Sequence, residues 1–118
     1  MSIRKRAILR VIVLEVSGSF FGDQETDELA RSIAEVGAQG NLHLVLDLSE
    51  CKVMNSTALS VLTKAHHDYS TRGGTIRLCG VQRRMLNILT LTRLLDLFGH
   101  HPTLDEALAS FAEAESAA

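Results

Sequence analysis

The chain has 118 residues, with 12 Lys and Arg against 14 Asp and Glu, a formal net charge of −2 and 46% hydrophobic residues. This length favours one domain, since domains run to about 100–150 residues, and the composition is that of a globular protein. The slightly acidic balance and the scattered four Phe and one Tyr give no reason to expect a nucleic-acid-binding surface.

The two cysteines and the N-terminal region bear on location. Cys51 and Cys79 lack the paired spacing of a metal or redox motif and are typical of reduced thiols. The basic stretch from Arg4 to Arg10 precedes an apolar run that is too short for a signal peptide or a spanning helix of about 20 residues. We therefore expect a cytoplasmic protein.

Strands and helices alternate along the chain. A β-branched run predicts a strand over 8–16, although residues 4–20 could hold one long strand or two. Apolar periodicity then predicts a helix over 24–38, stopped by Gly37 and Gly40, and alternation predicts a strand over 42–48. The remaining predicted elements are a helix over 56–71, a strand over 75–79, a helix over 83–91, a short edge strand over 95–100 and a helix from 103 to about 113.

This order predicts a single α/β domain over residues 1–118 with a mostly parallel sheet. Its core spans about residues 8–113, and the tail 114–118 is expected to fray. Thr103 and Glu106 have the spacing of a capping box at the start of the last helix.

The segment after the central strand contains the most informative polar residues. In open α/β sheets, working sites lie beyond the carboxyl ends of the strands. Asn55 is a good N-cap, which places Ser56 in the first helical turn with its hydroxyl facing solvent. A phosphate there would meet free backbone N–H groups and the positive end of the helix dipole. The alternative is that Asn55, Ser56 and Thr57 only cap the helix.

Three stretches carry a resemblance to a known family. They read LVLDLSECKVMNSTALSVL, RGGTIRLCGVQ and LTLTRLLDLFGHHPTLDEALASF. Together they resemble the STAS domain of bacterial anti-sigma factor antagonists and stressosome proteins. The resemblance implies a STAS-like fold, a mixed and mostly parallel β-sheet with about four helices.

The resemblance also implies a function. In this family the serine that follows the motif aspartate is the phosphoacceptor, and it corresponds to Ser56. An anti-sigma factor with a histidine-kinase-like ATPase fold phosphorylates it, and a PP2C-type phosphatase reverses the reaction. We therefore expect a partner-switching antagonist that docks through the start of this helix. The expected docking residues are Asn55, Ser56, Thr57, Leu59 and Ser60.

The chain departs from the family pattern at two positions. Asn55 stands where the family has aspartate, which keeps the cap but removes a negative charge beside the acceptor. Ala58 stands where the family has glycine, and we expect its methyl group on the surface that packs against a partner.

No catalytic or metal-binding set is assembled in the sequence. Adjacent histidines such as His66 and His67 point about 100° apart on a helix and rarely share one ion. Asp47 is a lone carboxylate, more typical of a structural hydrogen-bonding group than of a general base. We expect no enzymatic activity, no cofactor, no metal, no nucleic-acid partner and no membrane insertion, in a monomer or weak dimer.

Two alternatives remain open. A stressosome-type scaffold subunit would form a very large particle, which light scattering detects. An accessory subunit of an ABC lipid transporter would have an ATPase and a permease encoded next to it.

Overall fold

The computed structural model describes residues 2–117, with side chains described for residues 3–111. The strands are β1 (Ser2–Ile8), β2 (Val11–Phe20), β3 (His43–Met54), β4 (Thr75–Cys79) and β5 (Gly99–His101). The helices are α1 (Gln24–Ala38), α2 (Ser56–Thr71), α3 (Arg83–Leu91) and α4 (Leu104–Ala117), with a 3₁₀ turn at Leu94–Leu97.

The five strands form one sheet in the order β1-β2-β3-β4-β5. β1 is antiparallel to β2, and every other neighbouring pair is parallel. A helix connects each pair of parallel neighbours, as parallel strands require. This confirms the predicted mixed, mostly parallel sheet with four helices.

Helices cover both faces of the sheet. Alternate residues of β2 point to opposite faces, so Leu14 lies in the main core under α1, α2 and α3, whereas Val13 lies in a smaller cluster under α4. Tyr69 and Phe20 are the largest fully buried side chains. The free energy of burying these apolar faces is the main force that holds the helices on the sheet.

The helix predictions are accurate except at the C-terminus. α1, α2 and α3 have the predicted bounds. α4 continues to Ala117, beyond the predicted end near Glu113. The side chains of residues 112–118, which include the whole tail predicted to fray, lie outside the described part.

The strands differ more from prediction. Residues 4–20 hold two strands, because the chain turns back at Leu9 and Arg10 and pairs β1 over its whole length with residues 11–17 of β2. Ile3 packs against the main core, so the folded part begins before residue 8. β3 extends to Met54 instead of ending near residue 48, because β2 continues beside it to Phe20 with two register shifts.

The segment 95–100 and Gly37 also differ from the sequence predictions. Residues 95–97 belong to the 3₁₀ turn, and only Gly99–His101 forms the edge strand. Gly37 is buried inside α1 instead of stopping it, and a Cβ atom there would lie 2.5 Å from Nη2 of Arg72. The chain leaves the helix at Gly40, whose φ of +86° is readily adopted by glycine.

Candidate docking site at the start of helix α2

The start of α2 is fixed by Asn55. Its backbone is extended, and its side-chain oxygen accepts a hydrogen bond from the N–H of Ala58 at 3.0 Å. The Asn55 carbonyl accepts the first helical hydrogen bond, from the N–H of Leu59 at 2.9 Å. Ser56 is therefore the first helical residue, and the predicted N-cap is confirmed.

The hydroxyl of Ser56 is available for chemistry. Ser56 is exposed, and its side chain makes no hydrogen bond to any of the described residues. The first turn of α2 contains no acidic residue, so no carboxylate of this turn offsets the positive end of the helix dipole. A phosphate on Ser56 would lie beside the free N–H groups of this turn without opposing the helix.

Thr57 lies against the loop that joins β2 to α1. Gly22 in this loop has φ +82°, and a Cβ atom added there would lie 3.0 Å from Cβ of Thr57. The N–H of Gly22 donates to the hydroxyl of Thr26 at 2.9 Å, and Thr26 is 2% exposed. The loop is thus fixed against one side of Thr57, and it lies where the extended β2 and β3 end together.

Phe21 enlarges the surface around Ser56. Phe20 is paired with Met54, and the Phe20 carbonyl accepts a hydrogen bond from the N–H of Asn55 at 2.9 Å. The next residue, Phe21, therefore lies beside the start of α2, and its side chain is 59% exposed. An exposed aromatic ring of this kind is a frequent binding anchor in protein interfaces.

The predicted docking residues do not all reach the surface. Thr57 and Ser60 are exposed with Ser56, and Asn55 is half-buried. Leu59 is only 7% exposed and belongs to the main core, so its side chain contributes to packing instead of contacting a partner. Within α2, the fully exposed part of the predicted docking surface is therefore limited to Ser56, Thr57 and Ser60. Phe21 and Gly22, in the loop between β2 and α1, extend this surface beyond the helix.

The side chain of Ala58 points into the core, whereas we predicted it on the surface that packs against a partner. It is fully buried among the core residues at the start of α2. Its methyl group therefore fills the interior and does not alter the surface that a partner would contact. Of the two departures from the family pattern, only Asn55 lies where it could affect recognition.

Both thiols are buried and unreactive at neutral pH. Burial raises the pKa of Cys51 to about 11, and burial together with the charge of Asp47 raises the pKa of Cys79 to about 12, so both thiols are protonated at neutral pH. The Asp47 carboxylate accepts hydrogen bonds from the N–H and the hydroxyl of Ser49, at 3.0 and 2.7 Å. Among the described residues, no three His, Cys, Asp or Glu side chains are placed to hold a metal ion.

Comparison with known proteins identifies the family. A family profile for the STAS domain matches residues 2–107. The chain belongs to the STAS domain family. No curated protein sequence gives a significant match to it.

Solved structures with this fold include bacterial regulators. An anti-sigma factor antagonist from Mycobacterium paratuberculosis is 27% identical to this STAS domain, over 92% of each chain, with a TM-score of 0.81. RsbS from Moorella thermoacetica, solved as a serine-to-glutamate variant, is 16% identical over 98% of this chain and 99% of its own, with a TM-score of 0.82. Phosphorylated SpoIIAA, a Bacillus cell fate determinant, is 13% identical over 93% and 99%, with a TM-score of 0.74. The last two likenesses concern the fold alone.

The helices of this STAS domain do not resemble membrane spans. Over residues 2–117, none combines the length and the apolar character needed to cross a bilayer.

Proposed function

We propose that this STAS domain is a non-enzymatic partner-switching regulator of the anti-sigma factor antagonist type. In its unphosphorylated form it binds an anti-sigma factor through the start of α2 and the adjoining Phe21–Gly22 loop. Phosphorylation of Ser56 ends this binding. The observation that carries the proposal is an exposed serine hydroxyl, free of hydrogen bonds within the described residues, on the first residue of a capped helix in a STAS domain.

Ser56 is a better acceptor than Thr57 for two local reasons. Thr57 is β-branched and lies against Gly22, so a kinase would approach its hydroxyl past the β2–α1 loop. The side chain of Ser56 points about 100° away from that of Thr57 around the helix axis. Both residues are exposed, so orientation and crowding, not burial, distinguish them.

The charge of a phosphate is sufficient for a switch. Phosphorylation adds about −1.5 to −2 charge, to a chain whose formal net charge is −2. Like charges brought together in an interface, or a phosphate stripped of water there, cost several kcal/mol, and about 1.4 kcal/mol changes affinity tenfold. The helix start accepts the phosphate, so the fold is retained while binding is lost.

The proposed partners follow from the family. The kinase is the anti-sigma factor itself, with a histidine-kinase-like ATPase fold, and a PP2C-type phosphatase restores the serine. Asn55 caps α2 as aspartate would but adds no charge beside Ser56. The kinase of this protein must therefore recognise its substrate through the surrounding surface, including Phe21, instead of through an adjacent carboxylate.

A phosphorylation assay with two matched variants tests the proposal. The kinase is first captured from lysate of the source cells on the immobilised protein and identified by mass spectrometry. We expect it to phosphorylate wild-type protein and Thr57→Val, and to leave Ser56→Ala unmodified. Both variants remove one exposed hydroxyl from the same turn. Incorporation that persists in Ser56→Ala and disappears in Thr57→Val would refute the assignment of the acceptor.

A further inference from the structure

An apolar groove lies between α1 and α2, away from the start of α2. Its volume is about 380 Å³, within the range of small-molecule sites. Its lining is formed mainly by small or apolar side chains, which are Ala30, Ala34 and Ala38 on α1 and Val61, Ala65 and Tyr69 on α2.

The groove cannot close by a simple approach of the two helices, because they are already held together at its floor and one end. The hydroxyl of Tyr69 donates a hydrogen bond to the carbonyl of Ile33 at 2.7 Å. Nη1 of Arg72 donates to the carbonyl of Gly37 at 3.0 Å. These two contacts set the spacing of the helices, and the small alanine side chains leave the space between them unfilled.

The rim of the groove carries an excess of positive charge. Arg31, Lys64 and Arg72 line it, against the single carboxylate of Asp68. The one ion pair found among the described residues joins Arg6 to Glu15, so none of these three cations is engaged in one there. Arg72 is engaged by the Gly37 carbonyl, whereas the side chains of Arg31 and Lys64 make no hydrogen bond within the described residues. An apolar floor beside these two cations is complementary to a ligand that is apolar along its length and anionic at one end.

We propose that this groove binds a single-chain anionic amphiphile, such as a medium-chain fatty acid. The acyl chain lies along the three alanines of α1, which span about 12 Å at the helical rise of 1.5 Å per residue. The carboxylate lies at the cationic rim.

The protein contains its own reporter of this groove. Tyr69 is the single tyrosine and the chain has no tryptophan, so the near-ultraviolet circular dichroism of tyrosine arises from the groove wall. Dodecanoate is titrated below its micelle-forming concentration and followed by this signal and by calorimetry. We expect a saturable change with one dodecanoate bound per protein, and weaker binding of the uncharged dodecanol.

Matched variants locate the ligand. Ala34→Leu places a larger side chain in the groove from an exposed position on α1, and leucine supports a helix nearly as well as alanine. Ala109→Leu makes the same change at an exposed position of α4, outside the groove. We expect dodecanoate to bind Ala34→Leu at least about tenfold more weakly than wild type and Ala109→Leu with unchanged affinity.

A separate double variant tests the cations that are proposed to bind the carboxylate of dodecanoate. Arg31→Gln combined with Lys64→Gln removes two exposed cations that make no hydrogen bond within the described residues, so we expect the fold to be retained and dodecanoate affinity to fall about tenfold. An unchanged Tyr69 signal in wild type would overturn the proposal. So would equal affinities of wild type and Ala34→Leu, because the ligand would then lie elsewhere.

Discussion

At the scale of single residues, Asn55 determines the geometry of the candidate site. Its side chain satisfies the N–H of Ala58, and its carbonyl begins the helical hydrogen bonds. The hydroxyl of Ser56 is exposed on the first turn because the cap is one residue earlier. Asn55 thus positions the proposed acceptor.

Substitution of Asn55 tests this role. Asn55→Ala should lower the free energy of unfolding by about 1 kcal/mol, because the N–H of Ala58 loses its acceptor. Asn55→Asp keeps an acceptor and adds a negative charge at the positive end of the helix, so its stability should equal or exceed that of wild type. Urea denaturation measures both. Equal losses in the two variants would contradict the capping role.

The sequence indicated only part of this site. Asn55 and Ser56 were predictable because a capping residue before an apolar helical pattern is a local signal. The contribution of Phe21 and Gly22 depends on β2 and β3 continuing side by side to Phe20 and Met54. That pairing is non-local, so the sequence did not predict it.

At the scale of elements, helices were more predictable than strands for the same physical reason. The apolar stripes of α1 and α2 are contained within each segment, whereas a strand is stabilised by a partner distant in sequence. β1 is an edge strand whose exposed side chains include Arg4, Lys5 and Arg6, so its sequence lacks the apolar alternation of a buried strand. The pairing with β2 nevertheless holds it in the sheet.

The last helix offers a test at this scale. The N–H of Glu106 donates to the hydroxyl of Thr103 at 3.2 Å, which is one half of the predicted capping box. Thr103→Ala should lower the free energy of unfolding by about 1 kcal/mol. Because Thr103 lies in the loop after β5, partner binding through Ser56 should not change. Chemical denaturation with no measurable difference would show that this cap contributes nothing.

At the scale of the whole molecule, the buried ionisable groups make stability depend on pH. Burial raises the pKa of Cys51 from 9.0 to about 11 and, with the charge of Asp47, that of Cys79 to about 12. Burial also raises the pKa of Tyr69 from 10.0 to about 12, and its hydroxyl is a hydrogen-bond donor to Ile33. All three groups are held in their neutral, protonated forms in the fold.

These raised pKa values make the free energy of unfolding fall as the pH rises. Groups whose pKa is raised by folding lose protons more readily in the unfolded chain, so their contribution is complete below the unfolded values and is lost as pH rises. The free energy of unfolding should therefore fall between about pH 9 and about pH 12. Denaturation at a series of pH values measures this fall. In Cys51→Val combined with Cys79→Val the fall should begin nearer pH 10, where the tyrosine of the unfolded chain ionises. For the wild-type protein, a free energy of unfolding that stays constant between about pH 9 and about pH 12 would contradict the account.

The central claim is that a phosphate on Ser56 ends partner binding while the fold is retained. The most direct test measures the affinity of the captured anti-sigma factor for the unphosphorylated protein and for the protein phosphorylated at Ser56, with thermal unfolding of both. The account predicts at least about a hundredfold loss of affinity, equivalent to about 2.7 kcal/mol, with no decrease in melting temperature. Equal affinities, or a loss of affinity that accompanies unfolding, would contradict it.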